Sequence, residues 1–104
     1  MPALLFFDID GTLITLDESH RMPDSTRDAL LQAKANGHKI FINTGRVKTA
    51  IDRNLRSFAF DGMVCGCGTY IEYEGKELFH AELPREDCKK YADALHAMKY
   101  QTVF

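Results

Sequence analysis

The chain has 104 residues and a formal charge of −2, from 13 Lys and Arg against 15 Asp and Glu, with 45% hydrophobic and 27% charged residues. That composition is globular rather than disordered, and the near-neutral balance leaves no electrostatic footprint for nucleic acid or an anionic membrane surface. No apolar run approaches the roughly 20 residues that span a bilayer, the amino-terminal apolar stretch is interrupted at Asp8 in a way no signal peptide is, and three cysteines suit a reducing, cytoplasmic compartment better than a disulfide scaffold.

Ala3 to Phe7 is a continuous apolar run, the pattern of a strand buried on both faces. It stops at Asp8-Ile9-Asp10-Gly11-Thr12, and the hydrophilic stretch from Thr15 to Pro23 predicts a loop or flap. Ser25-Thr26-Arg27-Asp28 has capping-box spacing, Ala29, Leu30 and Ala33 form an apolar stripe, and Asn36-Gly37 is a helix stop. A second buried strand follows at Lys39-Ile40-Phe41-Ile42-Asn43, ending at Thr44-Gly45-Arg46. The spacing of Ala50, Ile51, Leu55 and Phe58 predicts a helix from about Val47 to Ser57, and Asp61-Gly62 turns into a third strand at Met63-Val64-Cys65. This β-α-β-α-β order predicts parallel strands with right-handed crossovers. Tyr70–Tyr73 and Glu77–His80 then flank Glu74-Gly75-Lys76 as a β-hairpin, Pro84 opens a helix carrying Cys88, Tyr91, Ala92 and Leu95 at helical spacing, and Tyr100 to Phe104 reads as a strand beginning.

Ligands of an open parallel sheet bind at the carboxyl ends of its strands. The first strand delivers Asp8 and Asp10 there, on one side of extended chain, and Gly11 permits the tight turn that follows. The second delivers Thr44 and Gly45, a hydroxyl and backbone amides expected at a helix start, where anions bind. Paired carboxylates opposite an anion cradle fit phosphoryl chemistry with Mg²⁺, which takes oxygen ligands and bridges carboxylates to phosphate. Asp8 can attack phosphorus to form an aspartyl phosphate, and Asp10 can protonate the leaving oxygen and then activate water.

Asp8-Ile9-Asp10-Gly11-Thr12-Leu13 resembles the first motif, DxDGT, of the haloacid dehalogenase-like (HAD) hydrolases. Asn43-Thr44-Gly45-Arg46 is similar to the second motif of the Cof-type, IIB subfamily. Val64 to Ile71 sits where that subfamily crosses into its cap, with Cys67 in place of an asparagine common there. The resemblance implies a Rossmann-like α/β parallel-sheet core, here incomplete, in residues 1–80, and the beginning of an α/β cap in 81–104. It also implies a Mg²⁺-dependent phosphatase acting on a small phosphorylated metabolite such as a sugar phosphate. In that scheme Asp8 is nucleophile and metal ligand, Asp10 is acid/base and binds metal through its carbonyl, and Thr44, Gly45 and Arg46, with Gly11, hold the phosphate.

The family's third and fourth motifs, a charge-balancing lysine and distal acids, have no counterpart in the sequence, and Lys39 and Lys48 sit in the wrong segments to replace that lysine. The chain therefore reads as truncated, with little or no hydrolysis of its own and a marginal, sticky fold whose exposed edges favour homo-oligomers. The alternative is a non-catalytic phosphate- or partner-binding remnant. A signalling receiver domain, phosphorylated on an aspartate, is disfavoured because strand three ends in Cys65-Gly66-Cys67 rather than that aspartate. Zinc or redox chemistry at Cys65, Cys67, Cys88, His80 and His96 lacks a second paired ligand motif. Asp10-Gly11 alone could be a hairpin turn; its neighbours argue otherwise.

Overall fold

A computed structural model of the chain describes residues 2–99. Five strands form one sheet in sequence order: β1 (Leu4–Phe7), β2 (Lys39–Asn43), β3 (Gly62–Cys65), β4 (Tyr70–Tyr73) and β5 (Lys76–His80). β1, β2 and β3 are parallel, in register Phe6 to Phe41 and Phe41 to Gly62. β4 and β5 are antiparallel additions, so the expected change from βαβ units to a hairpin falls where the sequence places it. The expected strand at Tyr100 to Phe104 lies outside the described residues.

Helix α1 (Asp24–Ala35) buries Leu30 and half-buries Ala33 against the sheet, while Ala29 stays exposed. Its expected capping box does not form. Pro23 occupies the N-cap position with no side-chain cap, so Ser25 and Thr26 fall inside the first turn, where their hydroxyls cannot reach the orphan amides as a cap does. At the other end Asn36 and Gly37 donate to the carbonyls of Gln32 and Lys34, the stop read from the sequence. The helix expected over 47–57 also differs: Lys48–Ala50 is a 3₁₀ turn, Ile51 and Asp52 are extended in φ and ψ, and only α2 (Arg53–Ser57) is α-helical. Ile51 and Leu55 nevertheless both reach the core, so the apolar spacing reports burial without helical continuity. Helix α3 (Arg85–Ala97) follows Pro84 as expected, buries no residue among those described, and leaves Tyr91 and Met98 exposed.

The core lies on one face of the sheet. Leu5, Phe7, Ile40, Ile42, Met63 and Cys65 meet Ile9, Leu13, Ile14, Leu30, Ile51 and Leu55 there. The opposite face corrects the expectation of a first strand buried on both sides: Leu4 and Phe6 are 60% and 50% exposed. A continuous apolar run shows that no polar face was selected for water, but it does not supply the second covering layer. Phe41 is buried on that open face, with Phe6 stacked on it at 4.9 Å and Tyr73 at 5.8 Å. The dimensions agree with a sheet covered once: 51 × 34 × 19 Å, with a radius of gyration of 16.5 Å against about 13 Å for a compact domain of this size. Among the described residues no helix is long and apolar enough to cross a membrane.

Candidate active site

β1 ends at Phe7 and hands the chain to a tight loop. The amides of Leu13 and Ile14 both donate to the Ile9 carbonyl, and Gly11 N–H donates to Ile14. Ile9, Leu13 and Ile14 are buried as one plug beneath this loop, which leaves Asp8 and Asp10 exposed above it. Gly11 has φ +77°, a conformation that costs a side-chain-bearing residue roughly 1–2 kcal/mol; the glycine expected at the turn is required there. The Asp8 carboxylate accepts from the Ile9 amide at 2.8 Å, which fixes one of its oxygens.

β2 hands over Thr44, which is 4% exposed and ties its amide to the Val64 carbonyl at 2.9 Å. No helix starts at Gly45. Thr44 Oγ1 instead accepts from the Arg46 amide at 3.0 Å, a side-chain turn that replaces the expected helix N-terminus. Nothing among the described residues accepts from the Gly45 N–H, so one backbone donor of the expected cradle stands open. A β-carbon on Gly45 would lie 3.3 Å from Cys67 Sγ, so the residue after β3 walls the loop.

The two strand ends are joined by Arg46. Its Nε donates to Asp10 Oδ2 at 3.0 Å, its Nη2 pairs with Asp10 Oδ1, and its Nη1 reaches the Ala50 carbonyl at 3.2 Å. The hydrogen bonding holds the Asp10 carboxyl below its ordinary range, against a smaller opposing effect of desolvation. Asp10 in turn raises Arg46, with further attraction from Asp52 and Asp8. The structure thus brings Asp8, Asp10, Gly11, Thr44, Gly45 and Arg46 to one end of the sheet, with Arg46 facing a carboxylate.

Asp8 and Asp10 offer hard oxygen donors. The Asp10 main-chain carbonyl accepts no hydrogen bond among the described residues, and with the Asp8 carboxylate it forms a donor set of the class Mg²⁺ takes together with water. No group of three His, Cys, Asp or Glu suited to a metal occurs among the described residues, including the cysteines and His80. Two couplings carry no sequence signal. Arg46 and Asp10 are 36 residues apart. Lys48, Tyr70 and Glu72 form a second polar cluster across 22 and 24 residues.

Comparison with known proteins matches this frame. The family model of haloacid dehalogenase-like hydrolases fits residues 5–104. Pyridoxal phosphate phosphatase YbhA of Escherichia coli K12 is 32% identical over 81 residues, covering 76% of this chain and 29% of that protein. YkrA of Bacillus subtilis 168, named as a candidate phosphatase, is 27% identical over 97% of this chain and 38% of its own length. Among solved structures, the HAD subclass IIB sugar phosphatase BT4131 superposes with a TM-score of 0.74 at 38% identity, covering 94% of this chain and 38% of that one. A protein of Geobacillus kaustophilus HTA426 superposes at 0.80 and 32% identity, covering 92% and 37%. This chain therefore spans well under half the length of these relatives. On the match of residues 5–104, and on the strand ends that carry its motifs, the chain belongs to the haloacid dehalogenase-like hydrolases.

Proposed function

We propose that these residues are the amino-terminal part of a cytoplasmic, Mg²⁺-dependent phosphomonoesterase that works through an aspartyl phosphate on Asp8. The observation that carries the reading is the meeting of Asp8 and Asp10 with Thr44, Gly45 and Arg46 at the carboxyl ends of adjacent parallel strands. An Asp8 oxygen attacks phosphorus and the ester P–O bond breaks. Asp10 gives its proton to the departing alkoxide, then takes one from the water that cleaves the acyl phosphate and releases inorganic phosphate. Thr44 and the open Gly45 amide accommodate the phosphoryl oxygens, and the loop turned at Gly11 closes the site from the other strand. Mg²⁺ held by the Asp8 carboxylate and the Asp10 carbonyl would offset the repulsion between these acids and a phosphate dianion.

Arg46 has a place in the same scheme. Paired with Asp10, it favours the carboxylate over the acid that protonates a leaving group. A phosphate dianion competes for that guanidinium, and transfer of Arg46 to phosphoryl oxygens frees Asp10 to hold its proton. Residues 1–80 are the core portion in this reading and 81–104 the start of a cap. The relatives' names support phosphorylated metabolites as substrates, with a sugar phosphatase and a pyridoxal phosphate phosphatase among them. No lysine is free for the phosphate among the described residues near the site: Lys48 is committed to Glu72, while Lys34 and Lys39 lie at the other end of β2 with Asp61. The 104 residues alone are accordingly expected to turn over little.

The test is phosphate release by the whole protein from a panel of sugar phosphates and pyridoxal phosphate, with and without Mg²⁺. Mg²⁺-dependent release that vanishes in Asp8→Asn is the expected result. Phosphate binding without turnover anywhere on the panel would instead identify a non-catalytic remnant.

A further inference from the structure

The segment that carries Thr44, Gly45 and Arg46 has no helix behind it. Val47 is extended, Lys48–Ala50 makes a single 3₁₀ turn, and the chain is extended again at Ile51. Its placement comes from the side, through contacts with residues 66–72. Cys67 N–H donates to the Thr44 carbonyl at 3.3 Å and Gly66 N–H to the Arg46 carbonyl at 2.8 Å. The third tie is made by side chains. Lys48 Nζ donates to Glu72 Oε1 at 2.7 Å and to Tyr70 Oη at 3.2 Å, and Tyr70 Oη donates to the same Glu72 oxygen at 2.9 Å. The ammonium also lies 5.1 Å from the centre of the Tyr70 ring.

This triangle is more than a surface pair. The Glu72 side chain is only 16% exposed and stands on β4, which is locked into the sheet opposite Met63. Hydrogen bonding to Glu72 and then to Tyr70 raises the Lys48 amine, and the Lys48 bond lowers Glu72, so both ends favour the charged pair. The 3₁₀ turn begun by Lys48 ends at Ala50, whose carbonyl receives Arg46 Nη1. Fixing Lys48 on β4 therefore fixes one of the acceptors that aim the guanidinium at Asp10.

We propose that Lys48 is a positioning residue for the Thr44–Arg46 loop, anchoring it to β4 through Glu72 and Tyr70 so that Arg46 is delivered to Asp10 and to the phosphoryl group. The second half of that role rests on the hydrolase reading; the first does not. The charge pair also couples the loop to the hairpin that leads toward α3.

The test reads hydrogen exchange by NMR in the whole protein and in its Lys48→Met variant, which keeps the stem and removes the ammonium. Exchange of the Arg46 and Ala50 amides and of the Arg46 Nε–H is expected to quicken roughly tenfold while the Ile42 and Met63 amides hold their rates, the signature of local opening. Lys48→Arg should restore most of the protection. Unchanged loop rates, or an equal rise across loop and core, would overturn the assignment, the latter marking a merely structural residue. Glu72→Gln should give the same local pattern at smaller amplitude, and wild-type rates in it would overturn the proposal even if Lys48→Met did not fold. Titration with inorganic phosphate separates the two readings. A whole wild-type protein that binds none counts against the hydrolase reading and leaves the exchange result to decide the anchor; wild-type binding that Lys48→Met does not weaken overturns the role of Lys48 in phosphate placement.

Discussion

Arg46 holds Asp10 with two nitrogens, Nε on one carboxylate oxygen and Nη2 on the other. The two residues come from different strand ends and are 36 positions apart. This fork-on-carboxylate geometry is directional as well as attractive, so it fixes the separation between the loop after β1 and the loop after β2. Its hydrogen bonds also lower the Asp10 pKa before any substrate arrives. In the mechanism we propose, where Asp10 donates a proton, a phosphate dianion would draw Arg46 away and relieve that bias. The pair is thus a clasp between the two loops.

Arg46→Ala is expected to return the Asp10 titration toward the ordinary aspartate value of about 3.9. The sign follows from the lowered folded-state value. The stabilisation from this pair is fully present above about pH 4, the unfolded-state range, and is lost as pH falls through the lower folded-state midpoint. Carbon-13 NMR titration of the Asp10 carboxyl in wild type and Arg46→Ala checks this, and equal midpoints would show that the clasp does not form in solution.

Cys67 carries φ +56° and ψ +39° without being glycine or asparagine. Left-handed backbone costs roughly 1–2 kcal/mol for a side chain that cannot hydrogen-bond locally. Cys67→Asn is therefore expected to stabilise the chain by about 0.5–1 kcal/mol, raising the thermal midpoint by about 3–6 °C. Cys67→Val should shift it the other way, because a β-branched side chain tolerates this region least. Thermal unfolding of the three proteins gives the order. The same exposed thiol should react with a disulfide reagent before Cys65, which is buried and whose pKa is raised chiefly by desolvation.

The strands were legible because their apolar runs are short and bounded by Asp, Asn and Gly, and the hairpin because Glu74-Gly75-Lys76 separates two strand-like runs. The two motif-bearing strand ends were legible for the same reason. The 47–57 segment was misread because Ile51 and Leu55 are four apart and both buried, a spacing that helical and broken backbone satisfy equally. The Ala50 carbonyl is taken by Arg46, four residues back, while Lys48 is drawn to Glu72, 24 residues away. A pairing across that distance leaves no periodic trace. The open face was missed because Leu4 and Phe6 declare that they avoid water without saying what covers them.

That open face yields a prediction about association. Leu4, Phe6, Phe41, Val64, Ile71, Tyr73 and Leu78 line one apolar groove across the sheet, and Leu4 and Leu78 are 60% and 63% exposed. Contiguous apolar surface of this kind promotes contact between molecules, and charge placed on it opposes that contact. Leu4→Lys combined with Leu78→Lys should lower binding of a hydrophobic dye and reduce self-association in sedimentation experiments. Because both side chains are already mostly in water, each should change stability by no more than about 0.5 kcal/mol. Dye binding equal to wild type would mean that another surface is responsible.

Gly62 tests the junction on which both faces depend. It opens β3, faces Phe41 on β2 and Tyr73 on β4, and a β-carbon there would stand 2.3 Å from the Glu72 carbonyl oxygen and 2.7 Å from Phe41 Cε1. The ring could rotate aside, but the carbonyl belongs to the β4 backbone and can move only if the ladder between β3 and β4 opens. Gly62→Ala should therefore destabilise by about 1–3 kcal/mol, the cost typical of overpacking, although alanine is otherwise the better residue in a strand interior. Urea unfolding measures the loss. The same shift would displace Glu72, so the Arg46 amide should exchange faster in this variant than in one of equal stability altered at Leu30. A Gly62→Ala protein as stable as wild type would contradict the close approach of β4 to β3, and with it the register that places Glu72 beside Lys48.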